Sequence, residues 1–157
     1  MNQDEALREH LVQLLDGGHA HLTLKDAVKD FPIDQIGERL DGGPHSAWEL
    51  LEHMRIALND ILRFSQSADY QSPKWPEGYW PAGPAPERPE DWTKSLRAFR
   101  KDLNEFIAMV RDPEHDLYKP FPWGNGQTLL REAMLIADHN SYHLGQLMLV
   151  RKMLEAR

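Results

Sequence analysis

Residues 46–66 read SAWELLEHMRIALNDILRFSQ, and this stretch contains the clearest helix signal in the chain. Ser46 and Glu49 form a capping box, in which the hydroxyl accepts one unpaired backbone amide and the carboxylate reaches back to another. The pattern predicts a helix over about residues 47–66 with His53 pointing inward, because four apolar residues share its face. They are Leu50, Ala57, Ile61 and Phe64.

The segment 3–16 predicts another amphipathic helix, which comes first in the chain. Its leucines follow an i, i+4, i+7, i+8 stripe, and Gly17-Gly18 is typical of a left-handed C-terminal stop. The stripe consists of Leu7, Leu11, Leu14 and Leu15. A short helix is expected over residues 23–30, because Phe31-Pro32 would end it.

Two longer helices are predicted in the second half of the chain. One opens after Pro89, carries apolar residues at heptad-like spacing and stops at Asp112-Pro113. The other runs from about Thr128 to about Glu155 and is rich in Leu, Met and Ala. No segment alternates with a period of two. Four amphipathic helices predict an all-α fold, with residues 1–157 forming a single antiparallel four-helix bundle.

Residues 67–90 connect the second and third long helices and are an exception to the short loops of such bundles. We call this segment the strap. It has no periodicity, and six of the eleven prolines lie between Pro73 and Pro89. The prolines would keep it extended along a helix. Its aromatic residues, Trp75, Tyr79 and Trp80, are expected to pin the strap to the bundle, with the covering of a pocket mouth as the alternative.

The composition excludes several classes of function. Eighteen Lys and Arg against 25 Asp and Glu give a formal charge of -7, which is the wrong sign for binding nucleic acid or anionic lipid. The chain has no cysteine, so disulfides, thiolate metal sites and a cysteine nucleophile are excluded. The longest apolar run, residues 133–137, is far below the roughly 20 residues of a membrane span. We expect a cytoplasmic protein without nucleic-acid or membrane partners.

Three of the eight histidines are predicted to converge in the interior. His139 and His143 are four residues apart, so their side chains leave the same face of a helix, and their helical neighbours are apolar. His53 points inward from another helix. Burying three protonatable rings costs several kcal/mol, whereas a divalent cation binds all three as neutral donors at about 2.0–2.1 Å. The pattern predicts a three-histidine metal site, with hydrogen-bonded core histidines as the alternative.

The other five histidines are expected to be exposed, since they lie at helix ends or in polar surroundings. They are His10, His19, His21, His45 and His115.

Other chemistries lack the residues that they require. Glu49 could supply a fourth ligand, but the capping box already uses it, and Asp60 lies about 10 Å along the helix from His53. No Glu-x-x-His or H-E-x-x-H motif is present, which excludes di-iron carboxylate and zincin sites. Ser141 has no G-x-S-x-G elbow around it and is not expected to be a nucleophile.

The sequence SAWELLEHM at 46–54, followed by GQTLLRE at 126–132 and ADHNSYHLGQ at 137–146, resembles the DinB-like family of metalloenzymes. The resemblance spans nearly the whole chain. It implies a four-helix bundle that binds one divalent metal through a histidine of the second long helix and an H-x-x-x-H pair of the fourth. The matching positions are His53, His139 and His143. The family name records damage-inducible expression, and some relatives are thiol S-transferases using bacillithiol or mycothiol, or a mycothiol-dependent isomerase.

The expected function is therefore that of a metal-dependent hydrolase or thiol S-transferase acting on a small molecule. Imidazole ligands favour zinc or nickel, with iron or manganese as alternatives, and a low-molecular-weight thiol is the expected cosubstrate. The alternative is a non-catalytic, metal-stabilised bundle that binds a small molecule or a protein partner, since no general base is identifiable. A homodimer is expected from the apolar helices and from the resemblance.

Overall fold

The computed structural model describes residues 2–157, and within them the protein is all-helical. An isolated β-bridge joins Pro120 and Thr128. The α-helices are α1 (Gln3–Asp16), α2 (Leu24–Val28), α3 (Ala47–Gln66), α4 (Pro89–Arg111) and α5 (Leu129–Glu155), and short 3₁₀ helices cover Ile33–Gln35 and Glu77–Tyr79. No helix in residues 2–157 combines the length and the apolar composition that a membrane span requires.

The helix ends follow the predicted signals. The bounds predicted for α1 and α3 are the observed ones, and both halves of the α3 capping box are present: Glu49 N–H donates to Ser46 Oγ at 3.2 Å, and Ser46 N–H donates to Glu49 Oε2 at 2.8 Å. Gly17 adopts a φ of 74° just after α1. The short helix is shorter than predicted, because Thr23 caps it and Lys29 already leaves the helical conformation.

Helix α3 packs against α4 and α5, and α1 packs against the same two helices from another side. Buried aliphatic and aromatic side chains form one continuous core between these helices. In α1 the predicted apolar stripe is wrong at Leu14, which is 56% exposed, while Val12 is buried in its place. The core side of α1 is therefore shifted by part of a turn from the leucine stripe, since α1 must face both α4 and α5.

Arg8 joins α1 to the end of α4. Its guanidinium is buried and donates hydrogen bonds to the carbonyls of Val110 at 2.7 Å, Asp112 at 3.0 Å and His115 at 2.8 Å. The last carbonyls of a helix lack donors within the helix, so a cation there satisfies them. Asp4 accepts from the same side chain at 2.7 Å. Arg8 thus caps α4 from a distant part of the chain.

The strap lies against the start of α3. Ser46 Oγ donates a hydrogen bond to the Pro84 carbonyl, so the helix-capping hydroxyl also holds the strap. Gly37 approaches the strap so closely that a Cβ added there would lie 2.4 Å from the Ala85 Cβ. The short 3₁₀ helix of the strap, Glu77–Tyr79, also contacts α3.

Candidate metal centre

The structure brings the three predicted histidines together. His53 comes from α3, His139 and His143 come from α5, and one ligand nitrogen of each lies within 4.8 Å of the others. The Nε2 atoms of His53 and His139 are 3.0 Å apart. Two nitrogens that each lie about 2.0–2.1 Å from one ion are separated by no more than about 4.2 Å. The 3.0 Å pair lies within this span, and the 4.8 Å limit of the whole group slightly exceeds it, so the three rings could hold a single divalent cation after a small adjustment of the side chains.

Local structure explains this convergence. Helices α3 and α5 pack against each other, and the four-residue spacing on α5 places the His139 and His143 rings 4.5 Å apart between centroids. The His53 ring faces both, at 4.9 Å from His139 and 4.6 Å from His143. His53 and His143 are buried, and His139 is partly exposed.

Two of the rings are oriented by acceptors on their other nitrogen. His53 Nδ1–H donates to the carbonyl of Tyr79 at 2.8 Å, and His143 Nδ1–H donates to Gln146 Oε1 at 2.7 Å. These acceptors assign the proton of the neutral ring to Nδ1 and leave Nε2 as a lone pair. Such a partner fixes the tautomer and raises the basicity of a metal-binding histidine.

Burial keeps the three rings uncharged near neutral pH. It lowers the pKa of His53 and His143, although the hydrogen bonds to Tyr79 and Gln146 oppose the shift. Burial also lowers the pKa of His139, to about 4, and the neighbouring charges of His143 and His53 add to the effect. Neutral imidazoles are the form that binds metal ions.

The strap covers one side of the cluster. The Trp80 ring stacks on His53 with centroids 3.9 Å apart and planes within 1°, and its other face stacks on His45 at 4.0 Å. Trp80 therefore combines the two roles considered for the strap aromatics, because it pins the strap to the bundle and also covers the site. Trp75 is 70% exposed, and its ring lies 5.3 Å from that of Tyr79 between centroids.

His45 corrects one prediction. It was expected to be an exposed loop histidine, but the stack on Trp80 half-buries it, and its Nδ1 is buried without a hydrogen-bond partner. The prediction failed because the contact partner lies 35 residues further along the chain, in the aperiodic strap. The remaining four are exposed as predicted: His10, His19, His21 and His115.

The two carboxylates considered as ligands have other partners. Arg39 donates to both oxygens of Glu49, and although burial opposes ionisation, Arg39 and the Ser46 amide hold the pKa of Glu49 below its usual value. Asp60 accepts from the Tyr79 hydroxyl at 2.6 Å. In residues 2–157 neither carboxylate belongs to the histidine cluster.

Ser141 is also engaged elsewhere. Its hydroxyl donates to the Ala137 carbonyl one turn earlier at 2.7 Å and lies 3.2 Å from His21 Nε2. Ser141 is therefore not aimed at the cluster, in agreement with the absence of a nucleophile motif.

Sequence reasoning named Tyr79 and Trp80 only as aromatics that pack the strap or cover a pocket mouth, and it missed the contacts that orient and cover the rings. Gln146 could have been found, since it lies three residues after His143 and so on the same helix face. Tyr79 and Trp80 had no such signal, because the backbone carbonyl of one and the ring stacking of the other depend on how the strap folds.

Comparison with known proteins gives one family match. A family model described as the DinB superfamily matches residues 19–147, which is about four fifths of the chain and includes all three histidines of the cluster. No curated protein and no solved structure matches the sequence. The match begins between α1 and α2 and ends inside α5.

Proposed function

Because the chain belongs to the DinB superfamily, we propose that it is a four-helix bundle that binds one divalent metal ion and acts as a hydrolase or thiol S-transferase on a small molecule. The ligands would be the Nε2 atoms of His53, His139 and His143. The observation that carries the proposal is that three neutral imidazoles from two helices point their free nitrogens at one place.

The surrounding residues support this role. The Tyr79 carbonyl and the Gln146 side chain orient two of the rings, and Trp80 excludes water from the outer face of His53. A divalent ion held by His53, His139 and His143 would supply the chemistry of lowering the pKa of a water or thiol near pH 7. Nitrogen donors favour zinc or nickel, with iron or manganese as alternatives, and a low-molecular-weight thiol is the proposed cosubstrate.

A second candidate function is a non-catalytic, metal-stabilised bundle. The observation that favours it is the donor set, since within residues 2–157 the cluster contains histidines only and no carboxylate that could act as a general base beside the ion. An enzyme of this kind would rely on the metal-bound nucleophile alone.

Elemental analysis of protein purified without an affinity tag tests the metal site. We expect about one equivalent of a divalent metal in the wild-type protein and a marked loss after His53→Ala, His139→Ala or His143→Ala. The exposed histidines provide matched controls, so His10→Ala and His115→Ala should keep the metal. If occupancy is the same in all five variants, the three rings are ordinary core histidines.

A screen of the metal-loaded protein with low-molecular-weight thiols and electrophilic or ester substrates separates the two candidate functions. Turnover that disappears in His139→Ala would support the enzyme. A metal-loaded protein that melts at a higher temperature than the metal-free form but shows no turnover would support the stabilised bundle.

A further inference from the structure

A cavity of about 260 Å³ lies beside the histidine cluster, between residues 40–45 and the C-terminal half of α5. Its walls are mostly apolar, and the large apolar side chains among them are Leu40, Leu50, Leu149, Val150 and Met153. Leu149 is 59% exposed and Met153 is 45% exposed, although both belong to the cavity lining. Exposed large apolar side chains that line a concave surface are typical of a ligand-binding site.

Two polar side chains connect the cavity to the cluster. Gln146 lines the cavity, and its carbonyl oxygen is taken by His143, so its amide NH₂ has no partner among residues 2–157. His45 lines the cavity as well and makes no hydrogen bond within the same residues. Through Trp80, the His45 ring is stacked in line with that of His53. A ligand in the cavity would therefore touch Gln146, which contacts His143 directly, and His45, which is connected to His53 through Trp80.

Size and charge limit what the cavity can bind. A water molecule occupies about 30 Å³ in the liquid, so a cavity of about 260 Å³ has the volume of about nine water molecules, which is enough for one ring with a small substituent. The lining contains no lysine or arginine, and its one charged residue is Asp41. An anion would find no counter-charge there, whereas a carbonyl or ether oxygen could accept from the Gln146 amide.

We propose that this cavity binds a small uncharged molecule, with its apolar part against the walls and its hydrogen-bond acceptor on the Gln146 amide, behind the Nδ1 side of the His143 ring. The cavity would thus select neutral molecules with a single ring or a short chain over carboxylates of the same shape. The existence of this binding site does not depend on the proposed function.

The test compares two ligands of equal size, acetophenone and benzoate, by amide NMR titration of the wild-type protein. We expect acetophenone to shift signals of residues 40–45 and 146–153 and to bind at least about ten-fold more tightly than benzoate, because only benzoate must lose the hydration of a charge. Equal affinity for the two ligands, or shifts confined to other residues, would overturn the proposal.

A pair of variants on the exposed side of α5 provides the control. Leu149→Trp fills the cavity and should weaken acetophenone binding by about ten-fold or more, whereas Met134→Trp adds the same side chain at an exposed position outside the lining. The proposal fails if the two variants bind acetophenone alike.

His139→Ala separates this inference from the proposed function, since His139 does not line the cavity. The His139→Ala variant should lose metal binding and should still bind acetophenone. A wild-type protein that binds acetophenone but no metal would reject the proposed function and keep the binding site. One that binds metal but no acetophenone would reject the binding site alone.

Discussion

Replacing Gln146 should change metal affinity although this residue is not a ligand. In Gln146→Met the His143 Nδ1–H loses its acceptor at 2.7 Å, and in Gln146→Glu it gains a charged one. Loss of such a partner lowers metal affinity by about 10- to 100-fold, or about 1.4–2.7 kcal/mol. Metal affinity should therefore decrease in the order Glu, Gln, Met at position 146. A carboxylate acceptor on Nδ1–H raises the basicity of the His143 ring, which then binds the metal more tightly.

The affinities are measured by competition with a chromophoric chelator, and the melting temperature of each metal-free variant separates loss of affinity from loss of folding. Gln13→Met is the matched control, since the Gln13 amide bonds only Glu9 on the surface of α1. If Gln146→Met binds the metal as tightly as the wild-type protein, or Gln146→Glu binds it more weakly than Gln146→Met, the orienting role of this hydrogen bond is wrong.

Four further predictions follow from the contacts described above. Glu49→Gln should keep the metal and cost about 1–3 kcal/mol, since Gln completes the capping box but loses the ion pair with Arg39, and a loss of metal would make Glu49 a ligand. Arg8→Ala leaves three carbonyls without their donor and should destabilise the protein by about 3 kcal/mol in urea unfolding, whereas Arg100→Ala on the exposed face of α4 should change little. The metal-free protein should lose stability as the pH falls from about 6.5 to 4, because the unfolded chain takes up a proton that the partly buried His139 of the folded protein does not bind, and melts of His139→Ala should show a weaker pH dependence. Light scattering should give a dimer mass across the micromolar range, and a constant monomer mass would contradict the expected homodimer.

The elements that sequence could predict are those with a strong local signal. The capping box at Ser46 fixes the start of α3, and apolar spacing around His53, His139 and His143 was enough to place all three rings in one interior. Helical periodicity determines which side of a helix is buried, so residues on the buried sides of α3 and α5 had to meet once the helices packed.

The rest of the site depends on contacts that have no periodic signal. His45 and Arg39 lie in irregular segments, and their partners Trp80 and Glu49 are set by the path of the chain between helices. Leu14 shows the same limit inside a helix, because the leucine spacing of α1 does not reveal that α1 must face two neighbouring helices at once.

The stacking of the strap on His53 couples two events, metal binding at the histidines and docking of the strap on α3. The Tyr79 carbonyl and the Trp80 ring both hold His53 in place, so an ion that binds better with the strap docked must, by reciprocity, favour the docked strap by the same free energy. The strap is held in turn by Ser46 and Asp60. Metal affinity is therefore a cooperative property that these anchoring residues share with the ligands, and evolution could tune it through the connection between α3 and α4 without altering any histidine.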